Sequence, residues 1–382
     1  MKIVYVIYSI SKLTGIERMF VSQMNYLAEN YGYDVTLLTY DQGNAPDAYP
    51  LSAKVTHIDY NIKTFHAYKY PVYFRPVILY KWFRQLRHHI KRTISEIDPD
   101  IVVCSSYEKN EMQIVLSLED VKHVVQVHSS YYQSGGQLRS RHIESSLILW
   151  YKKNFVFRRV VKLVRRFDSI ITLTNGDAEM WHSEKVKVIP NPLVVTASPN
   201  QVEKARKVVA VGSLLMVKGF DMLLDAWEKI YEKHPDWQLE ITGEGVESPF
   251  LLRQMQKMKN VKILPKTSDI ASRYQSGEIF VMTSRFEGFG LVLLEAMSFG
   301  LAPVSFDCDF GPREIITDGR DGILVPLGDT RQLSDRLNYL MTNDDERRRL
   351  GQNAIEKSKK YHEDKIMPQF SQLYESLISS GL

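Results

Sequence analysis

The sequence predicts an α/β protein built from two parallel sheets, each with helices on both faces. Three observations predict it. Short apolar runs alternate with helical stretches along most of the chain. The alternation restarts after a polar, proline-containing segment at 194–204. The chain has 382 residues, enough for two such units.

The elements follow in order. Residues 3–8 read as a strand, and 14–30 as a helix with Ile16, Met19, Phe20, Met24 and Leu27 near helical spacing. Strands are expected at 35–40 and 55–58. Residues 60–76 are rich in Tyr and Pro and show no clear period. A basic helix is expected at 77–97, then strands at 101–105 and 124–128. A polar loop runs to about residue 141, followed by a long amphipathic helix at 143–166 and strands at 169–174 and 186–190. After the linker, a strand at 208–211 leads to a helix at 218–232, with Phe220, Leu223, Leu224, Trp227 and Ile230 on one side. Further strands are expected at 239–242, 261–264, 279–283, 303–306 and 323–325, and residues 330–382 read as helical.

Bulk properties narrow the class. Hydrophobic residues make up 44% and charged residues 25%, ordinary values for a globular protein. No apolar run is long enough to span a membrane. The first residues read as a strand, with neither the apolar core nor the cleavage site of a signal peptide. Cys104 and Cys308 lie far apart, so no disulfide framework is expected and a reducing cytoplasm is the expected location.

The net charge of +4 is unevenly placed: residues 1–196 carry 25 basic and 18 acidic side chains, the rest 24 and 27. Eight Lys or Arg and no acid lie between Asp59 and Glu96, and seven between Glu144 and Asp168. The first segment also carries Tyr68, Tyr70, Tyr73, Phe74, Tyr80, Trp82 and Phe83. Aromatics beside cations suit an anionic membrane interface or a core face, so 65–92 and 149–166 are candidate membrane-contact segments.

One stretch concentrates chemistry. Ser284 to Met297 follows the apolar run Ile279-Phe280-Val281-Met282 and comprises a Gly-rich turn and an apolar helix from about 290 to 299. Glu287 lies at the strand-to-helix turn, where helix N–H groups are free. Glu295 sits mid-helix, where a carboxylate is costly unless partnered. Ligands of open α/β sheets bind at this end of the strands. An ion-paired structural role for both carboxylates is the alternative.

Glu287 and Glu295 are separated by seven residues, which resembles the E-x7-E motif of retaining glycosyltransferases of the GT-B fold, family 4. Other motifs fall in the family's order. They are Gly15 and Glu17 after the first strand, His128 at a central strand end, Asn191-Pro192 before the linker, and Gly212 with Lys218-Gly219. Gly243-Glu244-Gly245 and the segment Phe306 to Ile316 complete the set. The resemblance covers essentially the whole chain. It implies two Rossmann-like domains facing across a cleft: 1–196 binding the acceptor, 197–362 binding a nucleotide sugar, and a terminal helix at 363–382 crossing back to the first domain. Phe370, Leu373, Tyr374 and Leu377 supply that helix with an apolar face. Hinges are expected near 194–204 and 361–365.

The resemblance also implies roles. A hexose or N-acetylhexosamine moves from a nucleotide diphosphate sugar, UDP-linked foremost, to a hydroxyl of a glycan or lipid-linked glycan in cell-surface polysaccharide biosynthesis. Lys218 meets the diphosphate, Glu295 the ribose and Glu287 the donor sugar. His128 faces that sugar from the other domain. Gly15, Gly212, Gly243 and the backbone of Phe289, Gly290 and Leu291 complete the donor site. Ser213 stands where the family usually has arginine, which removes one phosphate charge; Arg18 and Arg285 are the candidate substitutes. The resemblance implies a metal-independent enzyme, so neither metal nor other cofactor is expected. The expected location is the cytoplasm, at the inner face of a membrane. The competing readings are a nucleotide-sugar epimerase of the same architecture and an inactive nucleotide-sugar-binding homologue. No dinucleotide fingerprint follows the first strand, and no nucleic-acid motif accompanies the basic segments.

Overall fold

The computed structural model describes residues 1–129, 131, 157–196 and 204–379. Most of the expected linker (197–203), the loop at 132–141 and the expected helix up to residue 156 lie outside the described residues.

The first half comprises β1 (Lys2–Val6), α1 (Gly15–Asn30), β2 (Asp34–Thr39), β3 (Val55–Asp59), α2 (Arg75–Ile97), β4 (Ile101–Ser105), α3 (Lys109–Val115), β5 (Lys122–Gln126), α4 (Phe157–Val164), β6 (Ser169–Thr172), α5 (Asn175–Trp181) and β7 (Val186–Val188). The second comprises β8 (Lys207–Val211), α6 (Phe220–Trp227), β9 (Gln238–Thr242), α7 (Ser248–Gln254), β10 (Val261–Leu264), α8 (Ala271–Gln275), β11 (Ile279–Met282), α9 (Leu291–Ser298), β12 (Ala302–Asp307), α10 (Pro312–Ile315), β13 (Ile323–Pro326), α11 (Thr330–Thr342) and α12 (Asp344–Ser358). Helix α13 (Glu363–Ser379) closes the chain.

The strand orders are β3-β2-β1-β4-β5-β6-β7 and β10-β9-β8-β11-β12-β13, and neighbouring strands pair in parallel, as in β1 with β4 and β8 with β11. Each order reverses once, between β1 and β4 and between β8 and β11. The chain therefore leaves a crevice beyond the strand ends at those two points. Covered on both faces, the central strands need apolar residues throughout; β4 (IVVCS) and β11 (IFVM) are buried at every position.

Helix α13 does cross back. Its Ile366, Met367, Phe370 and Tyr374 pack with Ile3 and Tyr5 of β1 and Phe20 and Met24 of α1. Gln23 Nε2 donates to the Tyr374 hydroxyl at 3.0 Å. The two crossings between the halves run side by side, since Leu193 N donates to Tyr361 O at 2.7 Å.

Two expectations are corrected. The helix expected at 218–232 is shorter, because Gly219 adopts φ +66° and divides a 3-10 turn at Met216–Lys218 from α6. Residues 60–76 contain a 3-10 helix, Thr64–Lys69, anchored by Thr64 N donating to Asp41 Oδ1 at 2.5 Å just beyond β2. That anchor places the start of α2 at the crevice end of the sheet. Its far end lies beside the start of β1, where Lys2 Nζ donates to Ile97 O at 2.9 Å.

Candidate active site

The expected donor residues converge in the crevice between the sheets. Lys218, at the end of its 3-10 turn, points Nζ at Glu287 Oε1 at 2.6 Å. Ser284 Oγ donates to the same oxygen at 2.6 Å. The main chain of Glu287 is fixed as well: its N donates to Asp309 O, and Phe310 N donates to Glu287 O, both at 3.0 Å. The loop after β12 therefore forms one wall around Glu287. The lysine and carboxylate expected to divide phosphate and sugar between them are here each other's partners.

Glu295 lies one turn into α9 and is 1% exposed. Two groups hold it. Arg18 of α1 forms an ion pair with Oε1 from across the crevice, and Tyr274 OH donates to Oε2 at 2.9 Å. Burial raises the Glu295 pKa above the ordinary carboxylate value; the Arg18 charge and the two hydrogen bonds oppose that rise. The Tyr274 hydroxyl is pushed well up by its own burial and by Glu295.

The amino ends of two helices face each other here. Gly15 opens α1 and lies against Leu291, the first residue of α9: a Cβ at Gly15 would sit 3.6 Å from Leu291 Cδ2. Neither Thr14 nor Gly290 caps its helix with a side chain. First-turn N–H groups have no partner within a helix and favour anions. Gly290 adopts φ +100°, open to glycine at little cost, and this lets Phe289 turn into the core ahead of the helix.

His128 follows β5 and sits against the same wall. A Cβ at Gly288 would come within 2.7 Å of its carbonyl oxygen. Its ring lies edge-on to Phe20 with centroids 5.0 Å apart. Both ring nitrogens are buried without a hydrogen-bond partner. Burial lowers its pKa to about 4, so the imidazole is neutral near pH 7. It lines a small cavity with Gln23, Gln126, Asn191 and Phe370.

The remaining glycines face protein. A Cβ at Gly243 would sit 1.9 Å from the Gly212 carbonyl oxygen, so this glycine lets the loops after β8 and β9 touch. Gly212 itself packs on the Lys218 side chain. Ser213 accepts from Leu215 N at 2.7 Å through its main chain. Arg285 donates twice to Asp221, at 2.9 and 2.8 Å, and once to Met216 O at 2.6 Å. It clamps the Lys218 turn.

Several site residues were not assigned their observed role from the sequence. Tyr274, Ser284 and the Asp221 clamp were unforeseen, and Arg18 was foreseen only as a phosphate ligand. Ser284 alone had a local cue, three residues before Glu287. Domain contact extends further: Asn175 Nδ2 and Gly176 N donate to the Glu314 carboxylate at 3.1 and 3.2 Å.

Two parallel-sheet halves with a crevice between their strand ends have the GT-B architecture. A family model for glycosyl transferases group 1 matches residues 196–357, and one for glycosyltransferase family 4 matches residues 13–196. The chain belongs to the family 4 glycosyltransferases of the GT-B fold. It is 28% identical over 359 residues to an uncharacterized glycosyltransferase of Haemophilus influenzae, covering 90% of this chain and 91% of that one. It is 27% identical over 392 residues to the amylovoran biosynthesis glycosyltransferase AmsD of Erwinia amylovora, covering 97% and 99%. The fold also matches Anabaena HepE solved with UDP and glucose: TM-score 0.73, 17% identity, 98% and 100% covered.

Proposed function

We propose that this glycosyltransferase moves a hexose or N-acetylhexosamine from a UDP-sugar, with retention, to a hydroxyl of a glycan or lipid-linked glycan in polysaccharide biosynthesis. The observation that carries the reading is the Lys218–Glu287 pair beside the opposed starts of α1 and α9. One group fits a phosphate and the other a set of sugar hydroxyls, at one place. The similar proteins point the same way: amylovoran biosynthesis for AmsD, and a complex with UDP and glucose for HepE.

The difficult event is departure of the diphosphate, which needs fixed positive potential at its oxygens. Lys218 and the first-turn N–H groups of α1 and α9 supply it without a metal. Glu295 accepts from the ribose hydroxyls, as a carboxylate readily does. Glu287 holds hydroxyls of the transferred sugar. The neutral His128 orients a hydroxyl through a ring nitrogen and donates no proton as an imidazolium, in keeping with its lowered pKa. The leaving phosphate takes the acceptor proton on the face where it departs.

The acceptor side carries an apolar, cationic rim. Tyr73 is 73% and Tyr80 71% exposed, beside Val72, Phe74 and Val77. Lys69, Arg75, Lys81 and Arg84 stand among them without an acidic residue. This rim lies at the crevice end of α2, so docking on an anionic inner leaflet presents the crevice to a lipid-linked acceptor. Of the second basic segment, 149–156 lie outside the described residues. In α4 the apolar residues Val160, Val161, Leu163 and Val164 are buried in their own domain. No helix among the described residues is long and apolar enough to cross a membrane.

The test is release of UDP from UDP-glucose, UDP-galactose and their N-acetylated forms, by wild type and Glu287→Gln. The reading expects slow hydrolysis of at least one donor by wild type and its loss in the variant. No release from any of them, or equal release by the variant, refutes it.

A further inference from the structure

We propose that Arg18 is a second diphosphate ligand of the donor site, held on Glu295 until ribose hydroxyls take that carboxylate over. The proposal rests on the nucleotide-sugar reading of the crevice. It assigns the charge that Ser213 leaves out of the loop after β8.

Four observations carry it. First, the other candidate is committed: three of the hydrogen bonds of Arg285 go to Asp221 and Met216. Second, Arg18 is only partly committed. Its Nη2 meets Glu295, while its Nε is buried with no partner. Third, the geometry is in reach. Gly15 faces Leu291, and Arg18 and Glu295 face each other about one turn further along α1 and α9. One turn is about 5.4 Å, so the backbone positions of the pair lie about that far along the helices from the opposed starts that fit an anion.

Fourth, the hydrogen-bond inventory of Glu295 favours exchange. Tyr274 occupies Oε2 and Arg18 occupies Oε1. Each oxygen keeps a second acceptor site for a ribose diol; in the proposed exchange the diol displaces the Arg18 contact, which comes from the other domain, while Tyr274 comes from the same domain and stays. A released guanidinium at a 14% exposed site needs an anion. The diphosphate is adjacent, and the planar fork of arginine matches phosphate oxygens better than any ammonium.

The experiment is calorimetric titration of wild type, Arg18→Ala, Arg18→Gln and Arg18→Lys. The probes are UDP, GDP and ADP and the parent nucleosides uridine, guanosine and adenosine. For the base that binds wild type, Arg18→Ala and Arg18→Gln are expected to weaken the diphosphate about 10- to 100-fold. Nucleoside affinity is expected to hold or rise, which also reports that the variants are folded. Arg18→Lys restores part of the diphosphate affinity. An equal change for nucleoside and diphosphate makes Arg18 a latch between domains and overturns the proposal, as does an unchanged diphosphate affinity. Failure of wild type to bind any of the six overturns the donor-site reading itself, and this proposal with it.

Discussion

Replacing Arg18 by Met leaves Glu295 buried with one hydroxyl, and the consequence depends on pH in a definite direction. Removing one partner of a fully buried ion pair costs about 3–5 kcal/mol. Arg18 is 14% exposed and lies between two domains that water can enter, so about 2 kcal/mol is the appropriate expectation here. Over a domain of this size that corresponds to roughly 4–8 °C in Tm. Glu295 already has its folded pKa raised by burial, and loss of the Arg18 charge raises it further. An acid whose folded pKa exceeds its unfolded value, about 4.3 for Glu, favours the fold when protonated. That stability is present below the unfolded pKa and is lost as pH rises through the folded one. The Arg18→Met defect is therefore small at pH 4.5 and full at pH 8. Thermal melts of wild type and variant at both values measure it, and Glu295→Gln supplies the control. Its neutral amide has no proton to gain or lose, so in that background the Arg18→Met defect is expected to lose its pH dependence. A defect equal at both pH values, or one that stays pH-dependent in the Glu295→Gln protein, refutes the argument.

Three other outcomes follow from the geometry. Lys218→Met is expected to lower the transfer rate about 10²- to 10³-fold, the effect of removing one transition-state charge partner, with Lys218→Arg recovering part; steady-state assays with the active donor measure both. Gly243→Ala pushes a methyl to 1.9 Å from the Gly212 carbonyl oxygen, where both neighbours are backbone, and is expected to cost about 3 kcal/mol in chemical denaturation. Sedimentation with phosphatidylglycerol vesicles at low salt is expected to carry wild type down, to do so less in the Tyr73→Ser, Tyr80→Ser double variant, and to weaken as salt rises; wild type that stays in solution at low salt counts against the membrane rim.

What was legible in the sequence was what repeats locally. The run Ile279-Phe280-Val281-Met282 is a buried strand because a parallel sheet covered on both faces admits only apolar residues. Phe370 and Tyr374 recur at a helical interval, and α13 buries them. Glu295 in an apolar helix announced that a partner exists, and one does. Who the partner is was not legible. Arg18 lies 277 residues away, and no spacing rule links residues that meet only after two domains close. The same holds for Tyr274 and for the Arg285–Asp221 clamp. The aromatics of the 65–92 segment were ambiguous between core and surface for a related reason: period alone does not say where a helix meets its sheet. Trp82 and Phe83 pack inward, whereas Tyr73 and Tyr80 at the crevice rim do not.

The two carboxylates of the E-x7-E motif are both ion-paired, and the pairing bears on selectivity. Lys218 holds Glu287 within one domain, and Arg18 holds Glu295 from the other. A nucleotide sugar carries hydroxyls at both ends and negative charge between them. In the proposed complex its hydroxyls take over the carboxylates, and its phosphates receive the cations so released. Each protein group exchanges one partner for another, which avoids leaving a buried charge uncompensated. Shorter ligands do not complete the exchange. A free sugar releases Lys218 without offering it a phosphate. A nucleoside does the same to Arg18. A nucleoside diphosphate satisfies Arg18 but leaves Glu287 to compete for Lys218. Only the intact donor balances both pairs at once, so discrimination against the fragments follows from charge pairing already present between the domains and requires no additional contact to the base.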